Sequence, residues 1–292
     1  MYLVKNDVTE IAKLNASLKS IEANLLPFVP NSDLLLFVEN NFPKDLVHKL
    51  EDYPISFVEI KFELPESLNI DQVSKYFPLP KWRNNPLSYT FAGYDIGYRH
   101  MCRFFSGEMF KNSKLLEYEY YLRLDCDSRI LTPVNYDLFE WARHSKVKFG
   151  YIDEAKGKDH PSMSLGFQDT AKSYIKENGN LIQKIRSILF AKKDKLYYSN
   201  FELGHIPFFS SKTYMDYFEY IDGYNGFYSN RWGDHIVKCF GVETLLKQKE
   251  SKPIRGFVYE HGYVYMNSKI NLLGKILQLF RKIKRRVIIS KR

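Results

Sequence analysis

The sequence predicts an α/β domain, and three observations lead to this prediction. Strand and helix patterns alternate from the first residues onward. Hydrophobic residues make up 45 % of the 292 residues, which is enough for a sizeable core. Asp125 and Asp127 directly follow an apolar run at 120–124, and open α/β sheets bind their ligands at the carboxyl ends of strands.

The first sixty residues are predicted to contain three strands and two helices. Strands are expected at 1–5, 34–38 and 55–62, with a short helix at 43–50. The first helix is predicted over 9–26, because apolar residues recur there at helical spacing: Ile11, Leu14, Leu18, Ile21 and Leu25. This β-α-β-α-β order is typical of one half of a doubly wound domain.

The remaining elements follow from the same patterns. Helices are predicted at 93–110, 136–144, 213–221 and 234–240, and strands at 120–124 and 148–152. The polar, glycine-containing stretch 157–164 is predicted to be a mobile loop, and the basic stretch 184–195 an insertion or lid. We therefore expect one catalytic domain over residues 1–268 and a tail over 269–292.

Most of the excess positive charge lies in that tail. The net charge is +9, and residues 269–292 contain nine basic residues and no acidic residue, so the body is formally neutral. A neutral body argues against a broad nucleic-acid-binding face. In the tail, apolar residues fall on one helical face: Ile270, Leu273, Ile276, Leu277, Phe280, Ile283 and Val287. Such a helix suits an anionic membrane surface, the alternative being that it docks on its own domain.

Cysteine usage and hydropathy predict a cellular location. The three cysteines are odd in number and lack metal-type spacing, which favours a reducing compartment. The first residues do not form a signal peptide, and no segment reaches the roughly 18 apolar residues that span a bilayer. Together with the basic tail, these features predict a cytoplasmic, peripheral membrane protein.

Two carboxylates at a strand exit suit a divalent cation that also binds a substrate diphosphate. A lone D-x-D sequence also occurs in ordinary turns. The same carboxylates would serve a metal-dependent nucleotidyl- or phosphotransferase, although no glycine-rich phosphate loop supports that alternative. Another possible function is that of a non-catalytic domain, which the tail would hold to a membrane or nucleic acid.

Longer strings surround the D-x-D sequence, namely Y-R-H-M-C-R-F at 98–104 and F-Y-S-N-R-W-G-D at 227–234. With Ser88-Tyr89, 135–137, 199–202 and 259–261, their order and spacing resemble the fungal α-1,2-mannosyltransferases, also called glycolipid 2-α-mannosyltransferases. The resemblance runs from about residue 34 to about residue 263. It implies a GT-A-type single nucleotide-sugar-binding domain with a mixed central sheet, and retaining transfer from GDP-mannose to a glycan or glycolipid hydroxyl.

The resemblance also implies a metal site for Mn²⁺ or Mg²⁺. Its ligands would be Asp127, His261 and, more loosely, Asp125. The family motif is Glu-Pro-Asp, and here Asp125 replaces the Glu and Cys126 the Pro, so the shorter Asp125 is expected to reach the metal through water. His261 matches the histidine of the family's late Gly-Tyr-x-His string; taken alone, it would be a packing residue.

Two carboxylates are the catalytic candidates by resemblance. Glu202 matches a family glutamate at the anomeric centre, acting either as a nucleophile or as a stabiliser of an oxocarbenium-like centre during same-face attack. Asp234 matches an acid near the acceptor or sugar hydroxyls. Its alternative role is to cap the helix that follows.

Four further residues are candidates for binding the donor. Tyr98 matches a family tyrosine near the diphosphate and metal. Arg99 and Arg103 are expected either to hold phosphates or to form ion pairs in the core. Trp232 would stack on a sugar face or pack in the core.

Overall fold

The structure, a computed structural model, describes residues 1–50, 52–68, 96–152, 154–156, 164–190, 195–262 and 264–266. The described strands are β1 Tyr2–Val4, β2 Leu34–Val38, β3 Ile55–Glu59, β4 Tyr120–Leu124, β5 Ser128–Ile130, β6 Phe149–Tyr151, β7 Glu154–Lys156, β8 Lys195–Tyr197, β9 Phe201–His205, β10 Ser251–Pro253, β11 Tyr259–His261 and β12 Val264–Met266. The described α-helices are α1 Val8–Asn24, α2 Ile96–Ser106, α3 Leu138–His144, α4 Phe167–Asn178, α5 Leu181–Phe190, α6 Ile206–Phe209, α7 Lys212–Asp222, α8 Gly226–Ser229 and α9 Asp234–Leu245.

Two sheets meet edge to edge in the middle of the domain. The strands β1, β2 and β3 are parallel and lie in that order, and the second sheet has the order β10-β6-β9-β4. Met1 N donates to Leu122 O (2.6 Å) and Leu124 N donates to Met1 O (3.1 Å), which joins the two edges. Because β9 is antiparallel to both β4 and β6, the sheet is mixed, as expected.

Helices cover both faces of this sheet, which makes the fold α/β. Alternate residues of a strand point to opposite faces, so Leu34, Leu36 and Val38 belong to one core and Leu35 and Phe37 to the other. Burial on both faces explains why every residue of β2 is apolar and buried. The first core lies under α1 and α3, and the second under α2, α4, α7 and α9.

The helix α1 follows the sequence pattern closely. Asp7 caps it by accepting hydrogen bonds from the backbone amides of Thr9 (2.9 Å) and Glu10 (3.1 Å). The apolar residues at helical spacing are buried against the sheet: Ile11, Leu14, Leu18 and Ile21. Similarly, Asp137 caps α3 within the helix predicted at 136–144.

The prediction of a short helix at 43–50 is wrong. Only Lys44–Leu46 forms a single 3₁₀ turn. The Asn15 side chain donates to Leu46 O (2.9 Å) and accepts from His48 N (2.7 Å). These bonds to α1 take the place of the bonds that a longer helix would need.

Other predicted bounds need smaller corrections. The third strand ends at Glu59, and the helix predicted at 234–240 continues to Leu245. Most of the basic stretch 184–195 belongs to α5, which begins at Leu181. Some of the predicted features lie outside the described residues, namely Ser88-Tyr89, residues 93–95, most of the predicted loop 157–164 and the tail 269–292. No helix in the described ranges has the length and hydropathy to cross a membrane.

Candidate active site

A third, smaller sheet, with the order β12-β11-β5, brings the D-x-D sequence close to His261. The strand β5 begins one residue after Asp127 and pairs with β11, so that His261 lies opposite Ser128. Gly262 then turns the chain into β12 with φ +57°, a conformation that favours glycine, and its amide donates to Asp127 O (3.3 Å). Residues more than 130 positions apart in the chain therefore meet at the exit of β4.

Asp125, Asp127 and His261 form the solvent-accessible part of this site. The Nε2 atom of His261 lies 3.0 Å from Asp127 Oδ1 and 3.6 Å from Asp125 Oδ2, and the three side chains are 30–36 % exposed. Burial lowers the pKa of His261, but hydrogen bonds and charge from the two aspartates outweigh this and raise the pKa to about 9. Burial opposes ionisation of Asp127, yet the hydrogen bond from His261 leaves the pKa of that carboxyl lowered.

The chemistry of these three side chains fits a divalent cation. Carboxylate oxygens and an imidazole nitrogen are a normal mixed ligand set for manganese. In the structure His261 instead donates to the carboxylates, and no group of three or more His, Cys, Asp or Glu side chains in the described part of the chain is arranged to hold a metal ion. Metal binding would therefore require loss of the His261 proton.

Arg123 connects the exposed part of the site to a buried part. Its Nε and Nη2 atoms donate to Asp125 Oδ1 at 3.2 and 3.1 Å, and its Nη1 donates to Asp234 Oδ2 at 2.5 Å. The guanidinium lies over the Phe105 ring, 3.4 Å from the ring centroid. The Arg123 and Asp234 side chains are only 2 % and 4 % exposed. Asp125 therefore lies against a buried ion pair.

Asp234 is the first residue of α9 rather than its cap. Gly233 occupies the N-cap position and makes no side-chain capping bond. Burial raises the pKa of Asp234, but the charge and hydrogen bond of Arg123 dominate and hold the pKa at about 2. The capping alternative for Asp234 is therefore wrong, because its carboxylate is directed to Arg123.

Glu202 lies next to Arg123 in the sheet and is fully buried. The two residues are directly opposite each other in the β4–β9 register, and Glu202 is 0 % exposed. Its Oε1 atom accepts hydrogen bonds from the Tyr121 hydroxyl and from Lys238 Nζ. Its Oε2 atom has no hydrogen-bond partner among the residues described.

Lys238 completes a buried cluster around Glu202. Its Nζ lies 3.2 Å from the Tyr121 hydroxyl and 5.3–5.5 Å from the ring centroids of Phe110, Tyr121 and Phe209. Burial lowers the pKa of Lys238, and the opposite charge of Glu202 acts against that shift. A carboxylate held by one ammonium and one phenol in this aromatic surrounding has a fixed position and orientation.

A glycine makes the contact between Tyr121 and Glu202 possible. Gly204 pairs with Tyr121 across β4 and β9, on the same face as Glu202. A Cβ atom at Gly204 would lie 2.3 Å from Tyr121 Cε1. The missing side chain therefore lets the Tyr121 ring lie across β9 and reach the carboxylate two residues away.

Among the expected donor-binding residues, Tyr98 shares a face of α2 with Met101 and Phe105, both of which contact Arg123. The Arg231 guanidinium lies over the Tyr98 ring, 4.7 Å from its centroid. Arg99 is 1 % exposed and donates to Tyr228 O. Arg103 forms a forked pair with Asp222, with distances of 2.8 and 2.9 Å. Arg103 therefore forms the ion pair of the second alternative, and Arg99 is buried in the core with a backbone carbonyl as its acceptor.

Trp232 also lies in the core. It is 2 % exposed, donates from Nε1 to Leu165 O (2.8 Å) and packs edge-on against Phe167 with ring centroids 5.5 Å apart. Its ring fills the space above Gly226, where a Cβ atom would lie 2.2 Å from Trp232 Cε3. Trp232 therefore has the packing role, and its ring is not exposed for stacking on a sugar.

Three residues of this site were not predicted from the sequence: Arg123, Tyr121 and Lys238. A charged residue inside an otherwise apolar strand or helix is a usable signal, and Arg123 in β4 and Lys238 in α9 both provide it. The pairing of Tyr121 with Glu202 has no such signal. A cavity of about 170 Å³ near Leu25, Leu34 and Phe139 includes Tyr121 in its lining but none of the site residues expected from the sequence.

Comparison with known sequences connects this arrangement to a family. The family model described as glycolipid 2-alpha-mannosyltransferase matches residues 2–273. The probable mannosyltransferase KTR3 of Saccharomyces cerevisiae is 31 % identical over 176 residues, covering 58 % of this chain and 43 % of that protein. Glycolipid 2-alpha-mannosyltransferase 1 of Candida albicans is 28 % identical over 199 residues, covering 66 % and 45 %. The chain thus spans less than half the length of these two relatives.

Solved structures show the same fold. The mannosyltransferase Ktr4p from S. cerevisiae in complex with GDP superposes with a TM-score of 0.75 at 18 % identity, covering 91 % of this chain and 71 % of that chain. Core-mannan synthase A from Aspergillus fumigatus, in its Mn/GDP form, gives a TM-score of 0.74 at 20 % identity, with coverage of 90 % and 74 %. At these identities the likeness concerns the fold.

Proposed function

Because the chain belongs to the glycolipid 2-alpha-mannosyltransferase family, we propose that it is a metal-dependent retaining mannosyltransferase. It transfers mannose from GDP-mannose to a hydroxyl group of a glycan or glycolipid, in α-1,2 linkage, within a GT-A-type domain. The observation that carries this proposal is the meeting of Asp125, Asp127 and His261 at the exit of β4.

Asp127 and His261 are the proposed main ligands of Mn²⁺, and Asp125 is a weaker one because Arg123 already engages its Oδ1. Mg²⁺ is the alternative cation. The bound cation would neutralise the charge that develops on the leaving diphosphate. Support comes from the donor set and from the Mn/GDP form of a protein with the same fold. Tyr98 is the proposed donor-binding residue of α2.

Glu202 is proposed to act electrostatically rather than as a nucleophile. A nucleophile must touch the anomeric carbon, whereas Glu202 is 0 % exposed and held by Lys238 and Tyr121. Its negative charge would favour a positively charged, oxocarbenium-like centre above it. The bond between C1 and the diphosphate oxygen breaks, the acceptor oxygen bonds to C1 from the same face, and the acceptor proton passes to the departing diphosphate.

Asp234 and Arg123 are proposed to set the charge and position of Asp125. Their pair is buried, and Arg123 holds Asp125 Oδ1 from below. Such fixed groups need no reorganisation during the reaction. Direct contact of Asp234 with the acceptor, the alternative from the resemblance, would require its carboxylate to leave Arg123.

A transfer assay tests the proposed function. The chain is incubated with Mn²⁺, GDP-mannose and an α-mannoside acceptor, and the products are identified by mass spectrometry and by linkage analysis. GDP together with an α-1,2-linked disaccharide is the expected result. Release of mannose 1-phosphate would instead indicate a nucleotidyltransferase, and release of GMP a transferase of mannose phosphate. Other nucleotide sugars in the same assay test the choice of donor.

The tail over 269–292 is proposed to bind an anionic membrane, and the cytoplasmic, peripheral location remains a prediction from the sequence. Each Lys or Arg near such a surface contributes about 1 kcal/mol, and salt screens this attraction over roughly 8 Å. Arg285→Glu/Arg286→Glu should weaken binding to phosphatidylserine vesicles at least about tenfold. The matched control, Lys19→Glu/Lys49→Glu, changes two exposed lysines of the body; equal losses in both would contradict a specific role of the tail.

A further inference from the structure

The helix α5 presents its apolar side chains to solvent. Five large aliphatic residues lie on one face, at positions i, i+1, i+4, i+7 and i+8, with these exposed fractions: Leu181 73 %, Ile182 61 %, Ile185 49 %, Ile188 58 % and Leu189 49 %. Single exposed apolar residues are common, whereas a contiguous apolar face on a surface helix marks an interaction site.

The opposite face of α5 is firmly packed. Ser187 and Phe190 are buried, and the Phe190 ring lies 5.2 Å from the Phe240 ring of α9. Arg186 donates to Leu246 O at the end of α9. At the start of the helix, Asn180 and Gln183 exchange side-chain-to-backbone hydrogen bonds of 2.8 and 3.0 Å. The orientation of α5 is therefore set by contacts with the body, and the apolar face points outward as a consequence.

The helix itself is basic, since its charged residues are Lys184 and Arg186. In the sequence, residues 180–195 contain five basic residues and one acidic residue. A helix with an apolar face and basic neighbours binds in the interface of a bilayer with anionic lipids. We propose that α5 is a membrane-binding helix of the catalytic domain, which inserts its aliphatic face into an anionic lipid surface. This surface is distinct from the tail and goes beyond the proposed transferase activity.

Charge favours lipid over a second copy of the chain and over the tail as the occupant of this face. A second copy of the chain, docked through the same helix in a symmetric dimer, would bring two basic surfaces together. The tail over 269–292 has nine basic residues and no acidic residue, so docking it on α5 would also place like charges in contact. Anionic lipid headgroups complement the charge, and acyl chains accept the aliphatic residues.

Vesicle binding by the full-length chain tests this proposal. Ile185→Ser/Leu189→Ser removes two aliphatic side chains that are each 49 % exposed, and the control Leu46→Ser/Leu116→Ser removes two that are 48 % and 46 % exposed elsewhere. Partition onto phosphatidylcholine–phosphatidylserine vesicles should fall by about tenfold or more for the α5 variant. The control should stay within about twofold of the unmodified chain.

Two outcomes would overturn the proposal. The first is equal vesicle binding by the α5 variant and the unmodified chain, with the melting temperature preserved. The second is a dimer, seen by sedimentation velocity without lipid, that the α5 variant dissociates. Mannosyl transfer to a soluble acceptor should be unchanged in this variant, since α5 contains no proposed site residue, so failure of the transferase proposal would be recognised separately.

Discussion

Lys238 of α9 and Glu202 of β9 form an ion pair in which each side chain is only 1 % exposed. Removing one partner of a buried pair leaves an uncompensated charge, which costs about 3–5 kcal/mol. Lys238→Met should therefore lower the free energy of unfolding by about that amount in urea titrations. Glu202→Gln/Lys238→Met should recover at least half of the loss; a double variant less stable than Lys238→Met would contradict a compensating pair.

Glu202→Gln tests the catalytic role of the same carboxylate. The substitution keeps the shape and removes the charge, which matters mainly in the transition state. We expect turnover to fall at least about a hundredfold, with GDP affinity changed only a few-fold. Because this variant leaves Lys238 unpaired, Glu202→Gln/Lys238→Met is measured beside it as a control for folding. Normal turnover with weakened donor binding would instead make Glu202 a donor-positioning residue.

Asp127→Ala should abolish Mn²⁺-dependent transfer while preserving the fold, because Asp127 is 36 % exposed and is a proposed metal ligand. A transfer assay with Mn²⁺ and GDP-mannose measures the activity, and a melting curve measures the stability of the fold. Asp137→Ala is the matched control, since Asp137 caps α3. It should lose about 1 kcal/mol of stability and keep its activity. Near-normal activity of Asp127→Ala would remove Asp127 from the metal site.

Asp234→Asn should reveal a pH-dependent contribution to stability. Arg123 holds the pKa of Asp234 at about 2, below its ordinary value of 3.8. A lowered pKa stabilises the fold fully above about pH 4, and this contribution is lost as the pH falls towards 2. Urea titrations at several pH values should show the variant less stable by on the order of 2 kcal/mol at pH 5. A difference that does not shrink towards pH 3 would contradict this.

The sequence was sufficient for much of the fold and for the exposed part of the site. Local spacing predicted β1, α1, β2 and β4, since these elements bury apolar residues in regular patterns. The D-x-D sequence was identified by its position after β4 and His261 by the family resemblance, and β5 and β11 place the His261 Nε2 atom 3.0–3.6 Å from the two carboxylates.

The buried half of the site depends on long-range pairing. Tyr121 meets Glu202 only because β9 runs antiparallel beside β4, and Lys238 reaches them from α9. The helix predicted at 43–50 failed for a related reason, since Asn15 of α1 takes the groups that would continue it. Local patterns contain no information on such partners.

Gly204→Ala should disturb the site without changing any charged residue. The added Cβ would lie 2.3 Å from Tyr121 Cε1, so the ring must move away from β9 and its hydroxyl from Glu202. Such overpacking costs about 1–3 kcal/mol, and turnover should fall with it. Gly223→Ala is the matched control, because its Cβ would meet its nearest atom at an ordinary 3.4 Å and its φ is −59°. Melting curves and transfer rates should therefore separate the two variants. If Gly204→Ala behaved like Gly223→Ala in both measurements, the position of Tyr121 would not matter for Glu202.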